Sequence, residues 1–337
     1  MTLARRGLLP ALLPTLVALP LAVALLAPAA AQPSATAGYP QRPVRLIVGF
    51  PAGAGPDILA RLLAQKLSEH WGGQGVVVDN KPGAGGLIAA SEAARAAPDG
   101  HTLLLGLTGN LVIAPATYRK LPYDPLKDFV PVSQVVTSDF VLMSNTEKVP
   151  VRDVKEFAAW SQKQPKGIFM GTFGAGTPGH FGAFILGDAV KVKPEVIHYK
   201  NTGDVITGLV NGDVHAVLAS VGVAAPNVKA GRLSALAVTG PARNPAMPEV
   251  PTLKEQGIDL EITSWFGIVV PARTPMELVD RLNADLLKVL QSPDTRQRIE
   301  AAGFAPTGTS REAFARLIQS DTAVWGKAVA ATGYKAD

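Results

Sequence analysis

Three stretches of small residues carry the chemistry open to this chain: Pro51-Ala52-Gly53-Ala54-Gly55-Pro56, Gly83-Ala84-Gly85-Gly86 and Gly174-Ala175-Gly176. Each stands just before a segment with helical spacing. A helix start presents unpaired N–H groups and a partial positive charge. Glycine lets a ligand approach such a backbone closely. Together these features suit a carboxylate or another anion without an arginine. A tight turn asks for the same glycines, so for any one loop the two readings stand side by side. Three loops of this kind shift the weight toward binding.

Small polar residues end the predicted strands: Thr108, Asn110, Thr177, Asn201, Thr202 and Ser220. Such side chains orient a ligand directly or through water. Each equally suits a helix cap or a turn. Asp57 either caps its own helix, the simpler reading, or holds a water or a ligand ammonium. His180, after Pro178-Gly179, either faces a cleft or packs beside Phe181. His215 reads as a surface residue near a strand start. Trp265 reads as core, with a cleft position as the alternative.

Catalytic constellations are missing. The chain has no G-x-S-x-G, no H-E-x-x-H and no G-x-x-x-x-G-K-[ST], and its five histidines are dispersed without metal-ligand spacing. It has no cysteine, which removes disulfides, thiolate metal sites and a cysteine nucleophile. No cofactor, metal or catalytic residue is expected. One decoy remains. Gly174-Ala175-Gly176-Thr177-Pro178-Gly179 fits G-x-G-x-x-G after a strand, with Glu195 where a ribose-binding acid would stand. The pattern is weak in a glycine-rich chain, and it lies in the second α/β unit rather than opening the fold.

The elements that position these loops alternate. Val44 to Phe50 reads as a buried strand, with a helix from Asp57 carrying Ile58, Leu59, Leu62, Leu63 and Leu67, ended by Gly72-Gly73. Val76-Val77-Val78 is a second strand, Leu87 to Ala96 a second helix and Thr102 to Leu107 a third strand. A second unit follows: strand Val141-Leu142-Met143, helix Val154 to Gln162, strand Ile168 to Gly171 and helix Gly179 to Val190. Strand Glu195 to His198, helix Val205 to Asn211 capped by Asp204, and strands Ala216 to Ser220 and Ser234 to Val238 complete it. Continuous apolar strands alternating with helices imply parallel sheets, whose strand-to-helix loops gather at the carboxyl edge where ligands bind. Trp265 to Val270 is a further strand, Pro275 opens a long helix, and two more helices close the chain.

The expected fold is α/β, with two parallel-sheet domains forming two lobes. Crossings near residues 137 and 265 would make a hinge of two strands. The expected division is lobe 1 at 43–137 plus 266–337 and lobe 2 at 138–265.

The first segment reads as a secretory signal peptide at 1–31: Arg5-Arg6, an apolar stretch Leu8 to Leu26 broken by prolines, and Ala29-Ala30-Ala31 before Gln32. A flexible leader at 32–42 follows. The 337-residue chain carries formal charge +5, and losing two arginines and no acids with the signal leaves +3. Lysines and arginines are scattered with no aromatic-interleaved stripe, so no nucleic-acid partner is expected. The reading is a periplasmic protein, cleaved after Ala31, exported by the general or the twin-arginine route.

At these loops the sequence resembles the extracytoplasmic receptors of tripartite tricarboxylate transporters, the Bug family. The matching stretches include "VRLIVGFPAGAGPDILARLLAQKL", "VVVDNKPGAGGLIAASEAARAAPDGHTLLLG", "GTFGAGTPGHF" and "SWFGIVVPARTP". The resemblance implies a two-lobed periplasmic binding protein fold (type II-like) with an interlobe cleft, ligands that are mostly carboxylates, and delivery to integral membrane transporter subunits or a signalling partner. Carried over, the first-lobe contacts are Phe50, Pro51, Ala54, Gly55, Asp57, Gly85, Thr108 and Asn110. The second-lobe contacts are Gly174, Thr177, His180, Asn201 and Ser220. Two runs depart from the family. Its proline-tyrosine-lysine-glycine is His198-Tyr199-Lys200-Asn201 here, and its glycine-glutamine-valine-aspartate is Gly212-Asp213-Val214-His215. The first change lies near the cleft and bears on ligand choice. The second removes an acid before a strand.

The function expected is therefore a solute-binding receptor that captures a small carboxylate, an organic acid or an amino acid, as a monomer. A ligand sensor for a membrane signalling partner is the alternative, and a secreted enzyme on the same fold a more distant one.

Overall fold

The computed structural model describes residues 36, 38–199 and 202–336. The signal peptide, its cleavage after Ala31, residues 32–35 and 37 of the leader, and Asn201 lie outside the described residues.

In chain order the elements open with β1 (Val44–Val48), α1 (Gly55–His70), β2 (Val76–Asn80), α2 (Leu87–Ala94), β3 (Thr102–Leu107) and α3 (Ala114–Thr117). They continue with β4 (Phe129–Ser144), α4 (Val154–Ser161), β5 (Ile168–Thr172), α5 (Pro178–Ala189), β6 (Pro194–His198), α6 (Thr202–Asn211), β7 (Ala216–Ser220), α7 (Val221–Lys229) and β8 (Ser234–Val238). The chain closes with β9 (Thr263–Pro271), α8 (Met276–Gln291), α9 (Pro293–Ala301), β10 (Ala305–Pro306) and α10 (Arg311–Thr332).

The strands line up as β2-β1-β3-β9-β4-β7-β5-β6, with β8 and β10 also on β4. β1 is parallel to β2 and β3, and β5 is parallel to β6 and β7. The middle is antiparallel. β4 pairs with β9 from Phe129 to Asp139, through Thr137 opposite Trp265, and from Phe140 onward it pairs with β7 and β8. One strand therefore belongs to both halves of the sheet.

Local chemistry explains most of these elements. β1 is buried at Val44, Leu46, Ile47 and Val48. α1 starts with Pro56 in its first turn, where a missing N–H costs nothing, and turns Leu59, Leu62, Leu63 and Leu67 inward. Gly72 and Gly73 follow it with φ of 66° and 97°. Two expectations need correction. The strand expected at Val141-Leu142-Met143 is the end of a 16-residue β4. Pro131 hides its start, tolerated because the pairing with β9 is irregular between Pro131 and Ser133. Asp204 does not cap α6, which begins at Thr202. It sits in the first turn, where its charge meets the positive end of the helix.

Apolar packing follows the two faces of the sheet. α1 and α8 cover one face of the first half, where Leu59, Leu63, Leu282 and Leu286 meet Leu46 and Val48. α6 and α7 cover Val141, Met143 and Val217 in the second half. A third cluster runs through both halves, from Ile47 and Leu104 past Trp265 and Phe314 to Phe140 and Phe181. Among the described residues no helix is long and apolar enough to cross a membrane.

Candidate functional site

The turn after β1 brings the chain against the turn after β2. A Cβ on the buried Gly49 would stand 2.5 Å from Gly86 Cα. Only glycine permits that approach. Phe50 is half-buried, Pro51 exposed, and Ala54 and Gly55 half-buried. The Ala54 N–H donates to Pro51 O at 3.2 Å and closes the turn. Gly83, Ala84, Gly85 and Gly86 all have positive φ, which only glycine and a few short residues accept without strain. Gly85 is exposed.

Asp57 is 1% exposed and lies inside α1, not at its N-cap, which is Ala54 and makes no side-chain cap bond. Its Oδ2 accepts from the Gly53 N–H at 2.8 Å and from Arg61 Nε at 2.9 Å. Its Oδ1 accepts from Asn80 Nδ2 at 2.9 Å, and the same Asn80 amide donates to Phe50 O. Burial raises the carboxyl, but the bonds from Arg61, Gly53 and Asn80 outweigh it and hold Asp57 below the ordinary carboxylate range. The residue expected as a cap thus ties β2 to the first glycine turn.

Behind these turns, Thr108 and Asn110 are buried at the end of β3. Thr108 Oγ1 accepts the Trp265 N–H at 3.0 Å. Asn110 Oδ1 accepts the Leu107 N–H at 2.8 Å, and the Tyr123 hydroxyl donates to Asn110 O at 2.6 Å. Trp265 is core, as its simpler reading had it, with its indole N–H on Asp321 Oδ2 at 2.7 Å.

The second half offers the turn between β5 and α5. Gly174 and Gly176 have φ of 132° and 75°. Thr177 caps α5, accepting the His180 N–H and donating to Gly174 O at 2.8 Å. His180 is 2% exposed, and its Nδ1 accepts the Gly176 N–H at 3.1 Å. It packs beside Phe181 as one reading had it, and also against Phe184, His198 and Tyr334. Burial, then the neighbouring His198, push its imidazole down to about 4. Ser220 is half-buried at the end of β7, before α7. His215 is not a surface residue. It is half-buried between Trp160 and Phe169 and accepts the Phe169 N–H at 3.0 Å.

The two sets of turns face each other. A Cβ on Gly109 would lie 4.0 Å from both Gly176 O and Pro178 Cδ. At another point a Cβ on Gly222 would lie 2.8 Å from Ala302 O, and a Cβ on Gly55 would lie 3.4 Å from Phe304 Cζ. The expected contacts after β1, β2 and β3 thus come together on three neighbouring strands, opposite those after β5 and β7. Basic groups near the first turns are committed to acids: Arg61 to Asp57, and Lys81 to Asp79 and Glu92 at 3.6 and 3.7 Å. An open groove of about 400 Å³ beside α2, lined by Ala84, Ile88, Ser91, Arg95 and Tyr118, borders the second glycine turn but includes none of the expected contacts. Convergence of the turns, rather than that groove, defines the candidate site. Among the described residues no three His, Cys, Asp or Glu side chains gather to hold a metal.

Four participants escaped the sequence reading: Asn80, Tyr123, Phe304 and Tyr334. Asn80 has a local signal, a polar amide ending a valine strand before a glycine turn. Tyr123 follows Asn110 by 13 positions, while Phe304 and Tyr334 arrive from distant parts of the chain.

A buried strand, β4, shared by two α/β halves whose turns approach each other defines the fold of a two-lobed periplasmic solute-binding protein. The family model for the tripartite tricarboxylate transporter family receptor matches residues 59–334, and the chain belongs to that family. The chain is similar to R. palustris Rpa4515 solved with adipate, with TM-score 0.81 and 32% identity over 88% of this chain and 98% of that one. It is similar to MatC of Rhodopseudomonas palustris with bound malate, with TM-score 0.77 and 30% identity over 86% of this chain and 100% of that one. The periplasmic binding protein BugD aligns with TM-score 0.77 and 30% identity over 88% and 99%.

Proposed function

We propose that this protein captures a small carboxylate between two lobes and delivers it to a tripartite tricarboxylate-type membrane transporter. Its lobes are 43–137 plus 266–337 and 138–265, moving about β4 and β9. The signal peptide at 1–31 is removed after Ala31, and the mature protein works in the periplasm as a monomer without catalysis. The observation that carries the reading is the approach of the turn after β3 to the glycine turn after β5, with Gly109 set against Gly176 and Pro178. Backbone N–H groups at such turns recognise a carboxylate without a committed cation. Relatives at about one-third identity hold adipate and malate. Residues named as contacts divide by burial. Phe50, Pro51, Ala54, Gly55, Gly85, Gly174, Thr177 and Ser220 have accessible surface for a ligand. Asp57, Thr108, Asn110 and His180 are buried and serve as the support of that surface.

A thermal-shift panel of organic acids and amino acids on residues 32–337 tests this. A ligand bound only by the folded state raises the melting temperature with concentration, by stabilising it about 2.7 kcal/mol at a hundred times Kd. We expect a saturable shift for at least one carboxylate, weakened in Gly55→Val and Thr177→Ala. A folded protein that shifts with no carboxylate contradicts the reading.

A further inference from the structure

We infer that His180 is a positioning residue for ligand capture: by accepting the Gly176 N–H at Nδ1 it fixes the orientation of the peptides from Gly174 to Thr177 that face the cleft. The inference rests on the proposed carboxylate site and adds how one wall of that site is held.

Gly176 has a φ of 75°, so its peptide stands in a conformation that the turn must impose. Three bonds impose it. Thr177 Oγ1 and Thr172 Oγ1 donate to Gly174 O at 2.8 and 3.3 Å, and His180 Nδ1 takes the Gly176 N–H at 3.1 Å. The two threonine bonds hold one side of the turn, whereas His180 alone holds the Gly176 amide. Gly176 O is the atom that lies opposite Gly109, so the peptide bonds on either side of Gly176 border the meeting point of the halves.

The imidazole has no freedom to turn away. Phe181, Phe184, His198 and Tyr334 stand with ring centroids 4.5, 5.4, 4.4 and 4.7 Å from its own. Tyr334 comes from the chain end beyond α10, where the Ala336 N–H donates to Thr117 O and Lys335 Nζ to Ala116 O. A segment fastened to the first half thereby walls a ring that belongs to the second. His198 shares a 2.9 Å hydrogen bond between its Nδ1 and Thr172 Oγ1, so it too is fixed to the turn.

Accepting an N–H at Nδ1 requires that nitrogen to be bare, which puts the ring proton on Nε2. A proton added to Nδ1 sets two donors against each other and releases the Gly176 amide. The titratable groups facing the ring are His198 from β6 and the Tyr334 phenol from the tail. Both are neutral at pH 7, while the α5 neighbours Phe181 and Phe184 carry no charge. Burial keeps the ring neutral above about pH 4. The turn is therefore held across the neutral range and let go on acidification.

Amide hydrogen exchange at Gly176, with calorimetric titration of malate and adipate, tests the inference in three proteins: wild type, His180→Leu and His180→Asn. Leucine fills the apolar space without an acceptor, while the asparagine Oδ1 replaces Nδ1 as an acceptor that does not titrate. In the ligand-free proteins at pH 7 we expect Gly176 to exchange about tenfold or more faster in His180→Leu and close to wild type in His180→Asn. Affinity for whichever acid binds should fall about tenfold in His180→Leu and survive in His180→Asn. It should weaken as pH falls through about 4 in wild type more than in His180→Asn. Unchanged Gly176 exchange in a folded His180→Leu overturns the inference, as does equal loss of affinity in both variants. If neither acid binds the wild type, the carboxylate reading fails, and Gly176 exchange still decides whether His180 holds the turn.

Discussion

Gly49 and Gly86 meet so closely that a Cβ on Gly49 would lie 2.5 Å from the Cα of Gly86 and 3.3 Å from its carbonyl oxygen. The contact locks the turn after β1 to the turn after β2. Both neighbours of a new methyl group are backbone, so neither gives way cheaply. Gly49→Ala should cost about 1–3 kcal/mol in chemical denaturation, as overpacking does. It should also weaken ligand binding. Gly75→Ala is the control: no atom lies within 4 Å of its Cβ, and its stability should match the wild type within about 0.5 kcal/mol.

Asp57 makes a second test of the same wall. Asp57→Ala strands the Gly53 N–H, Arg61 and Asn80 together, and should cost about 1–3 kcal/mol. Arg61→Ala removes one half-exposed partner and should cost less. Because the folded carboxyl is held low, its contribution is present above the unfolded value of 3.8 and disappears as pH falls through the folded value. A pH–stability series of wild type and Asp57→Ala should therefore converge only below about pH 4.

His180 predicts loss of stability at milder acidity. Its value drops from 6.5 unfolded to about 4 folded, so its neutral burial is favourable above 6.5 and increasingly costly as pH falls from 6.5 to 4. The full difference is on the order of 3 kcal/mol. Denaturation midpoints of wild type should decline over that interval, and those of His180→Asn should decline less. Parallel curves would show that the ring is not buried as described.

Thr108 joins β3 to β9 through a side chain. Thr108→Val keeps the volume and leaves the Trp265 N–H without its partner at 3.0 Å, at a cost of about 1–3 kcal/mol. Trp265 fluorescence reports the change at the same place, since its indole N–H stays on Asp321.

The absence of cysteine allows clean spin labelling. Ile88→Cys and Val210→Cys place labels at two exposed positions, one on α2 and one on α6. Hinge motion about β4 and β9 predicts that the distance distribution shortens or narrows when ligand is added. A distribution indifferent to a ligand that demonstrably binds would remove the hinge.

The alternating elements were legible where a strand is a run of Val, Leu and Ile closed by glycine or proline, as in Val44 to Pro51. The glycine turns were legible as loops for the same reason. β4 was half-hidden, since Ser133, Gln134, Thr137, Ser138 and Asp139 break its apolar pattern although all except Thr137 are buried. Asp57 was placed on the right element with the wrong partner, because a carboxylate near a helix start looks the same whether it caps or reaches back to a preceding turn. His215 looked like a surface residue because nothing adjacent in sequence announces Trp160 or Phe169 around it. Tyr334 sits 154 positions from His180, and no local pattern signals a contact of that length.

The central claim is that glycine turns from both halves form one site for a small carboxylate. Backbone amide NMR of residues 32–337 during titration with adipate and malate tests it most directly. The account predicts that Gly55, Gly85, Gly109 and Gly176 shift together and saturate at one affinity. Shifts confined to one half, or to the groove beside Ile88 and Arg95, would contradict it.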